Sequence, residues 1–440
     1  MKKILSATCA MMLASAGMMA NAQQLPNVGF EEWEACEGQA DNAGNTYGID
    51  AKTGYRTRPG SEPMGWNGSS VNQSVKVGFF PVNAKQELVF EDEEEGAKYA
   101  KLQNVYVGIS GAGSTAPGYL TLGTPWVYAE LNVDNCDGGT FGGVNNFTSK
   151  PDAIRGQFKR TDTNDENSYI IAYLWNGSFK SKIGKKGSPS ETFENVERAI
   201  LGKVTPDETT GKLVAICEYL LKPTNRDWHT IEVPFIYDEE AGDPTMMNVI
   251  ISAGDYWNRG KLVPGTTLLV DDVDFVYYST LNSLTAGEEN VDLTVATFND
   301  EGVATLTMNS NTFPTAESVS YTAKSQFATV DVEVLKGQDL VKVTVSNQGG
   351  KDVDGLTQHV YNLQYEAGTS GVESVAGDGV KVYAAAGCVV VEGAEGVAQV
   401  YTVDGKQVAV EVVNGKTEIA LANGLYIVRV GNKVQKVVVK

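Results

Sequence analysis

The sequence predicts an all-β protein built from several sandwich domains. It is rich in aromatic, β-branched and glycine residues, with 47 glycines and 9% aromatic residues among 440 positions. Apolar residues recur in short runs or in alternation, and the 3.6-residue periodicity of a long helix is missing. Turn residues separate these runs at short intervals, as they do in β-sandwiches. We expect a chain of this length to form about three domains.

The N-terminal segment, residues 1–22, has the pattern of a cleaved secretory signal. Lys2 and Lys3 precede an apolar stretch at residues 4–19, and the small-residue sequence Ala-Asn-Ala follows at 20–22. No later stretch approaches the roughly 20 apolar residues of a membrane helix. We therefore expect an exported mature chain with no transmembrane segment.

The net charge excludes one class of partner. The chain carries 35 basic and 55 acidic residues, a formal charge of −20, and removal of the signal lysines makes it more acidic still. Such a field repels nucleic acid and anionic membranes. We expect no nucleic-acid partner and interpret the acidic surface as a source of solubility outside the cell.

The cysteines indicate neither a metal site nor a disulfide framework. Cys9 belongs to the signal, and the residue before it is not the small Gly or Ala of a lipoprotein attachment site. The remaining cysteines are widely spaced and lack a C-x-x-C pattern. Cys217 and Cys388 stand in apolar runs and are predicted to be free thiols. Cys36 and Cys136 lie in polar loops, where a bridge between them is an open alternative.

The largest region, residues 23–279, is predicted to be a two-sheet sandwich. The run VAICEYLL at 214–221 is apolar on both faces and should lie inside it. VGISGAGSTAPG at 107–118 lacks Rossmann and P-loop spacing and is predicted to be a flexible loop. The strand-like segments are QELVFE, YAKLQNVYVG, YIIAYLWNG, LVAICEYLL, HTIEVPFIY, MNVIISAG and TLLVDDVDFVYY.

A second region, residues 283–367, is predicted to be a small immunoglobulin-like sandwich. STLNSLTAGEEN at 279–290 indicates a polar connection to it. The segments that follow alternate closely and carry many Thr and Val residues, as half-exposed strands do. GTSGVESVAGDG at 368–379 is predicted to be a flexible linker.

The tail, residues 380–440, is predicted to be a small β-sandwich of short strands joined by Gly turns. Asp404-Gly405 supplies the positive φ angles of a type I′ hairpin, and Asn414-Gly415, Asn423-Gly424 and Gly431-Asn432 are predicted to be further turns. The order V-Y-x-x-x-G-K-x-V, N-G-L-Y-I-V-R-V and a Lys-ended valine run resembles the type A C-terminal sorting domain of the Bacteroidetes type IX secretion system. The resemblance implies export through the periplasm to the medium or outer cell surface, with the type IX machinery as a partner.

The first domain also has a family resemblance, carried by a series of motifs. NVGFEEW at 27–33 and LLVDDVDFVY at 268–277 bracket it, and between them lie EPMGWN, APGYLTLGTPWVY, DGGTFGGVNNFTSKPDAIRGQFKR and SAGDYWNRGKLVPGTTLLVDD. The series resembles the carbohydrate metabolism domain of Bacteroidetes surface proteins, over about 250 residues. The resemblance implies a jelly roll similar to carbohydrate-binding modules and a glycan partner. The family name expresses an expectation about glycans and not an established reaction.

The same resemblance implies a structural calcium ion between the first and last strands. Glu31 or Glu32 would pair with Asp271 or Asp272, since hard oxygen ligands suit Ca²⁺. Strand alternation sends the two aspartates to opposite faces, so that one of them would be the ligand. The alternative is that these acids only solvate a strand end and hold no metal.

Tryptophans are the candidate sugar-binding residues, because a sugar ring stacks its C–H face on an indole. Trp257 is the best placed, in the polar loop GDYWNRGK, where Tyr256, Asn258 and Arg259 could hydrogen-bond sugar hydroxyls. A packing role for Trp257 is an equal alternative. Lower-ranked loop candidates are Trp66 and Trp126, whereas Trp33, Trp175 and Trp228 fall in strand-like runs and are predicted to pack in the core.

The sequence singles out no catalytic residue. His229 and His359 stand in different regions, so that a Ser-His-Asp triad in the first domain would need His229. No carboxylate pair is distinguished as a glycosidase pair. The first hypothesis is a secreted or surface protein that binds carbohydrate without catalysis. The alternatives are a glycan hydrolase with its active site in the first domain, and a structural or adhesive surface protein with a protein partner.

Overall fold

A computed structural model describes residues 22–36, 38–41, 55–77, 79–109, 112–223, 226–308, 312–365, 380–385, 387–431 and 433–440. Nearly all regular structure in these residues is β-strand, which confirms the predicted all-β class. The predicted signal, except Ala22, and the predicted linker at 368–379 lie outside the described residues. The helices are the single-turn α-helix Glu197–Ile200 and the 3-10 helices Val133–Asn135, Arg259–Lys261, Leu293–Val295, Ala316–Ser318 and Lys336–Gln338.

Two large sheets face each other in the first domain. The first sheet has seven strands, in the order Ile236–Tyr237, Lys212–Leu221, Ser168–Asn176, Met246–Ser252, Tyr119–Thr121 and Asn67–Gly68, with Val144–Asn145 also paired to Met246–Ser252. The second sheet has five strands, in the order His229–Pro234, Ala153–Arg160, Thr267–Val276, Ala97–Gln103 and Val89–Glu94. Apolar side chains of both sheets form one buried cluster, and this is the predicted two-sheet sandwich.

The seven-stranded sheet is buried on both faces over much of its area. Leu174 and Val249 belong to the cluster between the large sheets, whereas Tyr173, Trp175 and Ile250 face a second buried cluster on the other side. The run at 214–221 lies only partly inside, because Glu218, Tyr219 and Leu220 are exposed near the sheet edge. That edge arises because only the two-residue strand Ile236–Tyr237 pairs beyond it.

Smaller sheets and hairpins surround the sandwich. One four-stranded sheet has the order Asp137–Phe141, Thr124–Tyr128, Gly38–Asp41 and Tyr55–Thr57, and a three-stranded sheet joins Glu191–Glu194, Phe179–Ile183 and Glu208–Thr209. The predicted loop at 107–118 is instead largely a hairpin. The paired segments are Val105–Ile109 with Ala112–Ala116, Val71–Val77 with Phe80–Gln86, and Trp33–Ala35 with Ser61–Pro63.

The second region packs two small sheets around its own core. One sheet contains Glu289–Asn290, Leu281–Ala286 and Val319–Ala323, and the other contains Val303–Met308, Gln358–Tyr365, Leu340–Ser346 and Thr329–Leu335. The predicted polar connection at 279–290 is therefore mostly strand. Backbone and amide bonds join this region to the first domain, with Tyr277 N donating to Lys351 O at 2.9 Å and Asn347 Nδ2 donating to Tyr277 O at 2.7 Å.

The tail is a single five-stranded sheet with its own apolar cluster. The predicted hairpin at Asp404-Gly405 is confirmed, but its predicted type I′ turn is wrong, because Gly405 has a φ of 84° whereas Asp404 is not among the residues with positive φ. The predicted turn at Asn414-Gly415 is wrong, because one strand runs through it and pairs with its neighbour across a bulge at Gly393. The strands are Lys381–Ala385, Cys388–Thr402, Gln407–Ala420, Gly424–Val430 and Lys433–Val439.

Two further expectations from the sequence concern the cysteines and membrane-spanning helices. Cys36, Cys136, Cys217 and Cys388 are all free thiols, so that the open alternative of a bridge between Cys36 and Cys136 is not realised. In the part of the chain that the structure describes, no helix has the length and apolar character needed to cross a membrane.

Candidate functional site

The loop that carries the candidate aromatic residues, 253–266, is fastened by the carboxylate of Glu166. Its Oε1 accepts a hydrogen bond from Asp255 N at 3.1 Å, and its Oε2 accepts one from Val263 N at 3.0 Å. Oε2 also accepts hydrogen bonds from the side chains of Asn104 and Thr266. One carboxylate thus holds both ends of the loop.

The middle of this loop is shaped by Asp255. Its Oδ1 accepts hydrogen bonds from the backbone N of Trp257 and of Asn258, each at 3.0 Å. This local bonding, typical of an aspartate that starts a turn, leads directly into the 3-10 helix Arg259–Lys261. The side chains on the loop therefore have fixed starting directions.

Trp257, the best-placed candidate by sequence, is already engaged by neighbouring side chains. Its Nε1 donates to Glu218 Oε1 at 2.7 Å, and the Lys203 ammonium lies 4.6 Å from the centre of its ring. Its half-buried ring also packs edge-to-face against Tyr256 at 5.0 Å between centroids. These contacts leave little of the indole face free to stack on a sugar.

The two neighbours of Trp257 differ sharply in accessibility. Tyr256 is 2% exposed, and its hydroxyl donates to Glu197 Oε1 at 3.3 Å, so that it packs in the core and does not face a ligand. Asn258 is exposed. The structure does not bring the three predicted contacts Tyr256, Asn258 and Arg259 around the ring of Trp257.

Arg259 stacks on Tyr256 and lines a cavity. Its guanidinium lies 5.2 Å from the ring centre of Tyr256, and it lines a cavity of about 160 Å³. Among the described residues, its Nε and Nη2 have no hydrogen-bond partner although both atoms are buried. A buried polar group without a partner is costly, which makes this edge the feature of the cavity most in need of explanation.

The cavity lies beneath the two hairpins that the sequence does not mark as functional. Its wall includes Val71, Gln73 and Val75 from one hairpin and Val107 from the other. Gln73 is 1% exposed, and neither its amide oxygen nor its amide nitrogen has a partner in the described chain. The sequence does contain a signal, because Gln73 replaces an apolar residue on the Val71–Val75 face of an alternating strand.

The floor of the cavity is the strand pair Thr124–Tyr128 and Asp137–Phe141. Tyr128 lines it and donates its hydroxyl to Glu130 Oε2 at 2.8 Å. Gly138 allows the close approach of Arg259, because a side-chain carbon there would lie 2.8 Å from Arg259 Nη1. The DGG sequence at 137–139 thus makes room for the guanidinium.

Both carboxylates that line the cavity are paired with cations. Arg198 holds Asp137 through two hydrogen bonds of 2.7 and 2.8 Å, and Lys185 lies 3.1 Å from Glu130 Oε1. Burial raises the pKa of Asp137, but the bonds and charge of Arg198, the charge of Arg259 and the backbone N–H of Gly138 together hold that pKa below its usual value. A hydrogen bond from Asn135 is the main cause of the lowered pKa of Glu130. Both groups are therefore ionised and neutralised by partners.

Glu197 and Trp126 lie next to the same strand pair but do not line the cavity. Glu197 is fully buried, burial raises its pKa, and its Oε2 has no partner in the described residues. Trp126 is 2% exposed, and its Nε1 likewise has no described partner. A side-chain carbon on Gly139 would lie 2.4 Å from Glu197 Oε1 and 3.0 Å from Trp126 Nε1, so that this pocket is closed.

The other tryptophans are mostly packing residues. Trp66 is 2% exposed, donates its Nε1 to Pro26 O at 2.9 Å and packs against Phe30. Its ring, like that of Trp126, has no accessible face for a sugar. The core position predicted for Trp175 is observed, whereas Trp33 and Trp228 are only half buried.

The acidic residues of the calcium prediction converge in part. A side-chain carbon on Gly29 would lie 3.5 Å from Asp272 Oδ1, 4.0 Å from Asp271 Oδ1 and 4.0 Å from Cγ of Glu31. The expectation of opposite faces for the aspartates is wrong, because Asp272 has a φ of 49° inside a β-bulge. Glu32, whose backbone N bonds to Asn27, is not among the carboxylates around Gly29.

The electrostatics of this group fit a bound cation, although its ligand set is incomplete. Burial is the main cause that raises the pKa of Asp271 to about 6, and the charges of Asp272 and Glu31 add to it. Among the described residues, no three His, Cys, Asp or Glu side chains are grouped closely enough to hold a metal ion. Calcium would need carbonyl or water oxygens here as well, and it stays a prediction.

A serine, a histidine and an aspartate do come together, at the junction with the second region and around His359. Ser279 Oγ lies 2.8 Å from His359 Nδ1, and His359 Nε2 lies 2.6 Å from Asp354 Oδ2. Ser279 is fully buried, so that no substrate reaches its hydroxyl. His229, the sequence candidate, contacts the backbone O of Asp227 at 3.0 Å.

Comparisons with known proteins give no family assignment. No protein-family model and no curated protein matches the chain. Two similar solved structures are described as "putative glycoside hydrolase". The one from Bacteroides thetaiotaomicron is 12% identical, covers 51% of this chain and 73% of its own, and has a TM-score of 0.29. The one from Bacteroides vulgatus is 13% identical, covers 48% and 97%, and has a TM-score of 0.30.

A third similar structure contains the CBM51-2 and INT domains of Clostridium perfringens ZmpB. It is 8% identical, covers 92% of this chain and 100% of its own, and has a TM-score of 0.14. At these scores the three similarities support no conclusion about fold or function.

Proposed function

We propose that the first domain binds a glycan, without catalysis, in the cavity between the two hairpins and the Asp137–Phe141 strand. The observation that carries the proposal is the amide of Gln73, which is buried against this cavity with neither of its polar atoms paired in the described chain. Folding alone gains nothing from such a group, because an unpaired buried polar group costs about 1–3 kcal/mol. A ligand that pairs with it accounts for its presence.

The chemistry of the cavity suits a sugar. An amide offers both a donor and an acceptor, and a sugar hydroxyl needs both. The ring of Tyr128 and the valine side chains supply apolar surface for the C–H faces of a pyranose. An engineered cavity of about 150 Å³ binds benzene, which is smaller than a hexose, so that a cavity of about 160 Å³ admits the ring of one sugar unit with little space beyond it.

The described cavity does not favour hydrolysis. A glycosidase needs one carboxyl group that donates a proton and a second that acts as base or nucleophile. Asp137 and Glu130, which line the cavity, are both held by cations. Glu197, the buried carboxyl group whose pKa is raised, does not line the cavity. Binding is therefore the first function and hydrolysis the alternative.

A glycan array followed by isothermal titration tests the proposal. We expect the wild-type protein to bind at least one glycan and Gln73→Leu to lose most of that binding. Gln73→Leu should unfold at the same or a higher temperature, because it removes an unpaired buried amide. The matched variant Trp257→Ala, on the far side of Tyr256, should keep the affinity.

The outcomes separate the three candidate functions. Equal binding by wild type and Gln73→Leu, with a loss in Trp257→Ala, would move the site to the tryptophan loop. Release of reducing sugar from any bound glycan would establish the hydrolase. A negative array together with capture of a defined surface protein would support the structural or adhesive function instead.

We also propose that the tail directs export to the outside of the cell. The order of its strands and turns, with the confirmed hairpin at Asp404-Gly405, supports this proposal. Residues 380–440 should be replaced by an unrelated β-domain and the location of the protein measured in a bacterium that has type IX secretion. Retention inside the cell is expected, and normal surface delivery would show that the address lies elsewhere.

A further inference from the structure

The unpaired Nε and Nη2 atoms of Arg259 indicate which kind of sugar would bind in the cavity. Nε–H and the adjacent Nη2–H point the same way from a guanidinium and bind the two oxygens of a carboxylate side by side. In Arg259 these two atoms are buried and have no partner among the described residues. A neutral hydroxyl would satisfy one of them, whereas a carboxylate would satisfy both.

Another arginine of the chain, Arg160, shows how the Nε–Nη2 edge binds a carboxylate. In Arg160, Nε donates to Asp162 Oδ2 at 3.0 Å and Nη2 donates to Asp162 Oδ1 at 2.8 Å. Arg160 is fully buried, as the unpaired edge of Arg259 is. The protein thus satisfies one buried guanidinium edge with its own carboxylate and leaves the other without one.

Arg259 also lacks a direct ion pair in the described part of the chain. The two carboxylates of the lining are held by Arg198 and Lys185, and Arg259 acts on Asp137 and Glu197 only through its charge, without an ion pair within 4.0 Å. The Nε–Nη2 edge of Arg259 is therefore left to an anion from outside the chain. The chain's overall acidity weakens this preference little, because at physiological ionic strength charges more than about 8 Å away are largely screened.

We propose that the cavity recognises a sugar that bears a carboxylate, such as a hexuronic acid residue, with the carboxylate on the Nε–Nη2 edge of Arg259 and ring hydroxyls on the amide of Gln73. This inference rests on the proposed glycan-binding function and specifies its ligand. The Nε and Nη2 atoms of Arg259 and the amide of Gln73 are shielded from solvent. Binding therefore requires these two side chains to turn into the cavity. The cavity that both residues line provides that space.

Isothermal titration with three matched probes tests the inference: methyl glucuronide, methyl glucoside and glucose 6-sulfate. We expect the glucuronide to bind roughly 10- to 100-fold more tightly than the glucoside, the range that a charged hydrogen-bonded pair contributes. Arg259→Gln should abolish this preference, and Arg259→Lys should restore only part of it, because an ammonium lacks the two-pronged edge.

The control variant is Lys261→Gln, which removes one positive charge from the same 3-10 helix at an exposed position outside the cavity. It should bind the glucuronide as the wild type does. A similar loss in Lys261→Gln and Arg259→Gln would show a general charge effect and overturn the inference. Thermal unfolding of each variant confirms that the comparison is made between folded proteins.

The remaining outcomes separate this inference from the proposed function. If the glucoside binds as tightly as the glucuronide and Gln73→Leu weakens both, the glycan site stands and the acidic ligand is wrong. Tighter binding of the sulfate ester than of the glucuronide would replace the carboxylate with a sulfated sugar. If these probes and the glycan array all give no binding, both the function and its specificity fall.

Discussion

Two arginines of the first domain, Arg160 and Arg259, show opposite treatment of a buried guanidinium. Arg160 donates to the carboxylate of Asp162, to the backbone O of Glu166 at 2.6 Å and to Ser168 Oγ at 3.2 Å. Arg259, which stacks on Tyr256, leaves two buried nitrogens without a described partner. The saturated arginine serves the fold, and the unsaturated one is available to a ligand.

The two arginines are also physically connected. The segment that follows Arg160 contains Glu166, whose carboxylate fastens both ends of the loop that carries Arg259. A rigid, fully bonded cluster therefore positions the open group. Rigid support of this kind reduces the ordering cost of binding.

The largest expected effect is on the free energy of unfolding, when each arginine is replaced in turn. Arg160→Met should lower the free energy of unfolding by about 3–5 kcal/mol, because it leaves the carboxylate of Asp162 without its buried partner. Arg259→Met should leave it unchanged or slightly higher, since no described partner loses a bond. Urea unfolding of both variants measures the difference. Equal losses would mean that Arg259 is a structural residue like Arg160.

An intermediate effect is expected from the link between the two clusters. Glu166→Gln places an amide NH₂ against the donors of the loop, so that we expect a loss of about 1–3 kcal/mol in unfolding free energy. Because Arg259 loses its support, affinity for the cavity ligand should fall as well. Titration and urea unfolding are made on one sample, and unchanged affinity in a destabilised variant would show that the loop holds its shape without Glu166.

The smallest expected effect is on the pH dependence of stability. It compares Asp162, which is paired with Arg160, with Asp271, which has no cationic partner among the described residues. Burial raises the pKa of Asp162, but the bond and charge of Arg160 and two backbone N–H donors together lower it, so that this group stabilises the fold above about pH 4 and loses that contribution in acid. Asp271 has a pKa raised to about 6, chiefly by burial. Its stabilising contribution is therefore complete below about pH 4 and lost as the pH rises through 6.

Asp271→Asn tests this contrast and the calcium prediction together. The variant should match the wild type in thermal midpoint at pH 4 and exceed it at pH 7, measured in EDTA. Addition of calcium at pH 7 should raise the midpoint of the wild type and not that of Asp271→Asn. A wild-type midpoint that is the same in calcium and in EDTA would remove the metal and leave only the carboxylate repulsion.

Local signals in the sequence were sufficient for some features and misleading for others. The hairpin at Asp404-Gly405 follows from the residues themselves, because glycine adopts the positive φ found at Gly405 without strain. The equally strong Asn414-Gly415 signal gives no turn, since the strand Gln407–Ala420 continues through it in pairing with the long neighbouring strand, opposite a bulge at Gly393. Asp271 and Asp272 both lie near Gly29 because a bulge breaks the strand alternation that would have sent them to opposite faces.

The candidate site shows the same division. The sequence selected the loop at 254–261 and placed Arg259 in it, but assigned the central role to Trp257. Gln73 and Tyr128 were missed as ligand contacts because each is unremarkable within its own strand. Their importance appears only when three distant segments meet at one cavity.

By itself, the sequence determined the all-β class and the position of many strands and turns, since hydrophobic periodicity and turn chemistry are properties of neighbouring residues. Only the tertiary structure decided which polar groups are satisfied. Whether Gln73 or Arg259 finds a hydrogen-bond partner depends on residues far away in the chain, and no local pattern encodes that distance. The function proposed here rests on this difference between a saturated and an unsaturated buried group.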